Sequence, residues 1–359
     1  MRSRSISIRV IVITASAFLA LVLTWRVYVS DLLMARSAAA VKASKSIEEV
    51  YRLTQRAGTI AGLDPRSYSF RGLAAYGVAV EADAQDRSLW FAIASRDLAE
   101  AVRRDPMDGV AFRALALTAD GLDLSSEALR FAESSVARDP ASPDNLWVLA
   151  RLQPPGSEAR ALAYARVTAL RPALTDSIVR EVGGAKRGLE ELARYIAPRG
   201  DTYVEWAHAT TDVSRRGWIA RKGLGYVNDA SNDADRQYGW LYYYAGLEVM
   251  DTDPARAAEL LKLATDHLPD THALQRNYGF ALLRTGDPES AREAFLRSTR
   301  LYSDLANSAH LGLAQANEEL GEMERALATY RRLSETPRME EWVKARARAG
   351  IRRIERSEH

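Results

Sequence analysis

Three glycines, Gly246, Gly279 and Gly312, recur every 33 residues in the C-terminal part of this chain. Three alanines, Ala257, Ala291 and Ala326, follow them at steps of 34 and 35, and Leu261, Phe295 and Tyr330 each stand four positions after their alanine. Turn signals fall between the two series, at Asp253-Pro254, Gly286-Asp287-Pro288 and Gly321-Glu322. A period of this length marks one supersecondary unit that cannot hide its apolar face alone, so its neighbours must stack to bury a continuous core. The spacing predicts a pair of helices per unit. They would cross closely at glycine and alanine, and the larger residue would fill the gap to the next unit.

A weaker form of the pattern runs earlier. Pro106, Pro140 and Pro172 lie 34 and 32 residues apart and close the phrases AVRRDP, SVARDP and ALRP. Each follows small or apolar packing positions, such as Ala94, Leu98 and Ala101, then Ala128, Ala132 and Ser135. With 12 prolines in 359 residues, 47% hydrophobic and 27% charged residues, the composition is that of a globular helical protein.

The stretches YGFALLRTGDPESAREAFLRS and NEELGEMERALATYRRL resemble the tetratricopeptide repeat family. The resemblance is most specific over residues 239–338 and extends to 86–172. It implies an all-α fold, a right-handed α-solenoid of about seven or eight helix pairs. Residues 63–172 would hold the N-terminal repeats, 173–235 degenerate ones, 236–338 the C-terminal repeats, and 339–359 a charged helix capping the open end, since terminal repeats need a polar outer face. In the degenerate stretch, ELARYIAPRG should end a helix at Pro198, and DTYVEWAHATTDV and RRGWIARKGLGYV should form a pair. The Gly183-Gly184 and Gly223-Leu224-Gly225 sequences read as helix C-caps.

The segment Val10 to Val29, VIVITASAFLALVLTWRVYV, matches the roughly 20 residues a helix needs to cross a bilayer. Arg26 lies near its end, where it can snorkel, and Trp25 and Tyr28 suit the interface. A cleaved signal peptide would need a small-x-small site soon after the apolar run, and Thr24-Trp25-Arg26-Val27-Tyr28 offers none. Residues 10–29 are therefore expected to be a single transmembrane anchor, with 1–9 a cytoplasmic tail and 30–62 a helical stalk. Arg2, Arg4 and Arg9 favour an N-terminus inside, which places the solenoid in a bacterial periplasm, held at the inner membrane.

Several function classes find no support. The net charge is +2, and four of the positive charges sit in the first 29 residues, which hold no acid, so residues from 30 onward balance at −2. That part lacks the basic field nucleic acid requires. There is no cysteine, which removes thiolate chemistry. Of the histidines at 208, 267, 272, 310 and 359, the nearest two are five apart with Pro269 between them, the wrong spacing for metal ligands on one helix face. NDASNDAD, Asn228 to Asp235, puts Ala234 and Trp240 where a calcium loop needs Gly and Glu. No GxSxG, HExxH or phosphate-loop motif occurs. No catalytic, cofactor or metal site is expected, and the chain reads as a binding protein rather than an enzyme.

In the family, the first helix of each unit lines a concave groove through the second, fifth, ninth and twelfth positions of the repeat. With Gly246 and Gly279 at position eight, these fall on Trp240, Tyr243, Leu247 and Met250, then on Ala273, Arg276, Phe280 and Leu283. Aromatic and arginine side chains are what protein interfaces enrich at their centres. The expected function is a membrane-anchored scaffold that holds a protein partner in an envelope complex. The resemblance points to polysaccharide synthesis and export, secretion or cytochrome maturation. Two alternatives are a glycan-binding accessory protein that stacks polysaccharide on Trp240 and Tyr243, and a periplasmic holdase.

Overall fold

The computed structural model describes residues 51–52, 55–56, 65–227, 233–303, 308–337 and 339–357. The expected tail, the segment 10–29 and all but four positions of the expected stalk lie outside them. Among the described residues there is no strand, and no helix is long and apolar enough to cross a membrane.

The chain divides into two compact units, the first ending at Leu170. In the first unit, α1 (Pro65–Glu81) pairs with α2 (Ala84–Arg104), α3 (Gly109–Gly121) with α4 (Ser125–Arg138), and α5 (Pro143–Leu152) with α6 (Glu158–Leu170). Each helix packs on the next in sequence, and the first helices of successive pairs also touch, α1 on α3 and α3 on α5. This is the contact pattern of stacked helical hairpins. The predicted packing residues are central to it: Ala94, Leu98, Ala101, Ala128, Ala132 and Ser135 are all buried. Gly72 lets Leu98 approach so closely that a Cβ there would lie 2.5 Å from the leucine Cγ. A bidentate ion pair from Arg71 to the buried Asp97, at 2.6 and 2.7 Å, joins α1 to α2. Removing either partner of such a pair leaves an uncompensated charge.

The second unit opens irregularly. A 3₁₀ turn at Pro172–Leu174 leads into two short helices, α7 (Thr175–Glu181) and α8 (Leu189–Ala193). The latter stops at Ala193, five residues before Pro198 and earlier than the sequence suggests, and turns carry the chain from there to the proline. Regular pairs follow: α9 (Gly200–Ala209) with α10 (Val213–Leu224), α11 (Gly239–Val249) with α12 (Pro254–His267), α13 (His272–Arg284) with α14 (Pro288–Leu301), and α15 (Ala309–Glu319) with α16 (Met323–Glu335). A last helix, α17 (Glu341–Ser357), packs on α16 and touches α15.

The recurring residues meet as the period demands. A Cβ on Gly246 would lie 2.9 Å from Leu261 and one on Gly279 2.8 Å from the Phe295 ring, each within its own helix pair. Gly312 abuts the same Phe295 ring from the following pair, and a Cβ on Gly350 of α17 would come within 2.5 Å of Tyr330. Gly223, read from sequence as part of a cap, is instead a packing position: a Cβ there would sit 2.6 Å from Tyr203. Only Gly225 occupies the C-cap of α10.

The Asp-Pro pairs serve two purposes. Asp253 and Asp287 cap α12 and α14, their side chains accepting from Arg256 N at 3.0 Å and Ser290 N at 3.1 Å, with proline at the first helical position. Asp105 and Asp139 instead close α2 and α4, and their prolines lie in the turn beyond.

Three turns share one C-terminal device. The N–H of Asp287 reaches back to Leu282 O, that of Glu322 to Asn317 O, and that of Leu124 to Ala119 O. The residue between takes a left-handed backbone, Gly286 and Gly321 at φ 78° but Asp123 at φ 59°. Space is open around Gly286, so an added methyl meets only the backbone penalty. Gly286→Ala should lower the unfolding free energy by about 1 kcal/mol, and Asp123→Gly should raise it by about 0.5 kcal/mol, in urea titrations.

Candidate functional site

Apart from Ala273, the residues assigned to a groove separate into two places. On α11, Tyr243 is buried, and its hydroxyl accepts a 2.9 Å hydrogen bond from Asn277 Nδ2 on α13, so it ties two first helices together. Burial raises its hydroxyl pKa, partly opposed by Arg276 and the Asn277 bond. Trp240 is half-buried and stacks on Tyr244 at 6.0 Å, while the His208 ring of α9 meets both edge-on at 5.4 and 5.8 Å. The Arg216 guanidinium covers Tyr244 at 4.8 Å. Leu247 joins the apolar cluster around Tyr243 and Leu261, and Arg276 hydrogen-bonds Asn277 Oδ1 at 3.3 Å. Of these four residues Tyr243 is buried in the stack, while Trp240, Leu247 and Arg276 are half-buried.

Met250, Phe280 and Leu283 lie elsewhere, in a cleft of about 790 Å³ within the second unit. With Met323 they make its apolar part. Gln315, Glu318 and Glu319 of α15 form one side, and Trp342, Arg346 and Arg353 of α17 form another. The first helices of three successive pairs and the last helix thus present their free faces to one hollow.

The charges of the cleft are ordered around Glu318. Its carboxylate accepts a bidentate bond from Arg353, at 2.5 and 2.6 Å, and a 2.9 Å bond from the Tyr330 hydroxyl. Burial alone would raise the Glu318 pKa, but these donors favour the charged form and the net shift is downward. Glu319 has no such donors, and burial together with the Glu318 charge pushes it up. Arg284 is held by Asp251 and the Met250 carbonyl, at 2.5 and 2.7 Å. Trp342 is 46% exposed with the Arg346 guanidinium 5.7 Å above its ring, and its indole N–H donates to Glu340.

The arrangement suits binding. Its apolar part can bury a partner's side chains while the charged sides fix orientation. Among the described residues no three acidic or histidine side chains come together to hold a metal.

The family model described as tetratricopeptide repeat matches residues 251–306 and 279–339, which contain most of these cleft residues. Over residues 251–339 the chain carries tetratricopeptide repeats. No curated protein matches its sequence. Solved structures similar to it include the Cut9–Hcn1 hetero-tetramer of the APC/C, at 16% identity and a TM-score of 0.35, with 90% of this chain and 55% of that one covered. A thermophilic tetratricopeptide protein of Thermus thermophilus gives 16%, 0.25, 78% and 98%, and yeast Tom70 gives 11%, 0.35, 87% and 59%. The chain therefore spans little more than half the length of the first and third of these.

Counting tetratricopeptide positions from Gly246 and Gly279 leads to Met250, Phe280 and Leu283 but stops short of α17. Trp342, Arg346 and Arg353 carry no repeat signature and read from sequence as a polar cap. A signal was present nonetheless: Val343, Ala347 and Ile354 form the seam buried on α16, and the tryptophan and the two arginines fall together beside it.

His208 supplies a pH test of the aromatic cluster. Burial lowers its pKa from the ordinary 6.5, with the Arg216 charge acting the same way and Glu205 opposing. The unfolded chain therefore binds the proton more readily, so this contribution to stability is complete above pH 6.5 and is lost as pH falls through the folded-state value. His208→Phe, which keeps a ring against Trp240, should flatten the decline in unfolding free energy between about pH 7 and pH 5. An unchanged decline would separate His208 from it.

Proposed function

We propose that this protein is a membrane-anchored scaffold whose second unit captures a segment of a partner protein in the cleft between α13, α15 and α17. The observation that carries the reading is the hollow itself: Met250, Phe280, Leu283 and Met323 stay only half-buried, beside a charged wall in which Arg353 and the Tyr330 hydroxyl hold Glu318. Tetratricopeptide repeats are protein-interaction scaffolds, and most of the cleft's lining lies in the part of the chain matched to them. The anchor and the envelope location rest on the apolar run 10–29 with its basic leader, and a complex for polysaccharide export or secretion rests on the resemblance to the repeat family. Stacking of polysaccharide on Trp240 and Tyr243 draws less support, since Tyr243 is buried with its hydroxyl engaged.

A photocrosslinking amino acid at Phe280, in the full chain in its native membranes, should attach one protein partner, and Leu283→Asp should cut the yield about tenfold with helicity unchanged. A chain lacking residues 1–30 should remain helical and soluble and still bind that partner. Crosslinks to many unrelated chains would favour the holdase alternative, and none at all would remove the cleft from the account.

A further inference from the structure

The last helix is strongly basic where it meets solvent. Arg348, Arg352 and Arg356 are exposed and repeat every four residues, which places them along one row about 6 Å apart. None of the three has an ion pair among the described residues, and neither does Arg346 at the cleft. The acids of the helix are already engaged: Glu341 with Lys344 at 3.1 Å and Glu355 with Arg331 at 3.6 Å. Within the cleft the pairs Arg353–Glu318 and Arg284–Asp251 cancel. That leaves Glu319 in the cleft and Glu340 beside Trp342 as anions without an ion pair, against Arg346 at the cleft and Arg348, Arg352 and Arg356 on the exposed row of α17 beyond its lining.

We propose that the segment taken by this cleft is an acidic amphipathic helix of a partner protein. Its apolar stripe would lie on Met250, Phe280, Leu283 and Met323, and its carboxylates on Arg346 and then outward along Arg356 and Arg352. This rests on the reading of the cleft as a partner site and adds the chemistry of what it selects. The guanidinium fork matches carboxylates bidentately, and a row at i, i+4 spacing on α17 complements acids at the same spacing on a second helix. A protein segment fits better than an anionic membrane surface. Apart from Trp342, which lines the cleft, the large apolar residues of α17 are turned into the fold, Val343 and Ile354 at 1% exposure and Ile351 half-buried against the same cluster, so the helix has no apolar stripe with which to enter a bilayer.

The test is a phage-displayed library of random peptides of about 16 residues, roughly four turns of helix, panned against the full-length protein in zwitterionic nanodiscs. Enriched sequences should carry apolar residues at i, i+3, i+4 and i+7 with Asp or Glu between them. Their synthetic peptides should lose about tenfold in affinity to the exposed-site variant Arg346→Glu/Arg352→Glu/Arg356→Glu and should bind more weakly as salt is raised. Enrichment of neutral or basic peptides that are lost on Phe280→Asp would overturn the acidic preference while leaving the cleft as a partner site. Peptides equally well bound by Phe280→Asp would overturn both. Phosphatidylglycerol vesicles bound by the wild type and released by the triple reversal, with no acidic peptide enriched, would assign the arginine row to a membrane surface instead.

Discussion

The ring of Phe295 lies between two glycines, Gly279 of its own helix pair and Gly312 of the next, and the packing of the second unit depends on that insertion. An aromatic side chain buries about 150–250 Å², and here it does so fully, at 0% exposure, only because neither helix facing it has a side chain at the point of approach. The same ring therefore sets the spacing within one pair and between two. Leu261 against Gly246 and Tyr330 against Gly350 repeat the device at either side. Because close-packed interiors resist small changes of volume, the helices have little freedom to slide, and the relative position of α13, α15 and α17 is fixed by residues that never reach the surface.

The cleft is a product of that spacing. With the second helices filling the core, the first helices leave Phe280 and Leu283 facing outward, and α17 closes the end. Glu318 then links three elements at once, since it sits on α15 and takes hydrogen bonds from Tyr330 of α16 and Arg353 of α17. Tyr330 thus acts twice, its ring against Gly350 and its hydroxyl on Glu318. A charged group anchored by core contacts costs little further ordering when a partner arrives, the condition under which a polar wall aids recognition.

Much of the fold could be read from the sequence because the repeat is written in small residues. Gly246, Gly279 and Gly312 have no role except close approach, so their period reports helix crossings directly, and the alanines at 257, 291 and 326 are all fully buried as that logic requires. The candidate site was legible only in part. Position counting leads to Met250, Phe280 and Leu283, but it also leads to Tyr243, which tertiary packing turned to a hydrogen bond with Asn277. Hydrophobic spacing alone does not distinguish an aromatic that bridges two helices from one that waits for a ligand. The wall from α17 was hidden for the opposite reason: a helix rich in arginine reads as solvated, and its contact with Glu318 spans 35 residues, outside the reach of local patterning.

The most direct measurement is a double-mutant cycle on Gly312 and Phe295 by chemical denaturation. At an unconstrained helical position Gly→Ala gains up to about 1 kcal/mol. Here Gly312→Ala should instead cost about 2 kcal/mol, because the methyl collides with the ring. Phe295→Leu should destabilise alone yet cost at least about 1 kcal/mol less in the Gly312→Ala background, giving a clear coupling energy. A neutral or stabilising Gly312→Ala, or strict additivity of the two changes, would contradict the claim that this ring between two glycines sets the stacking of the helix pairs.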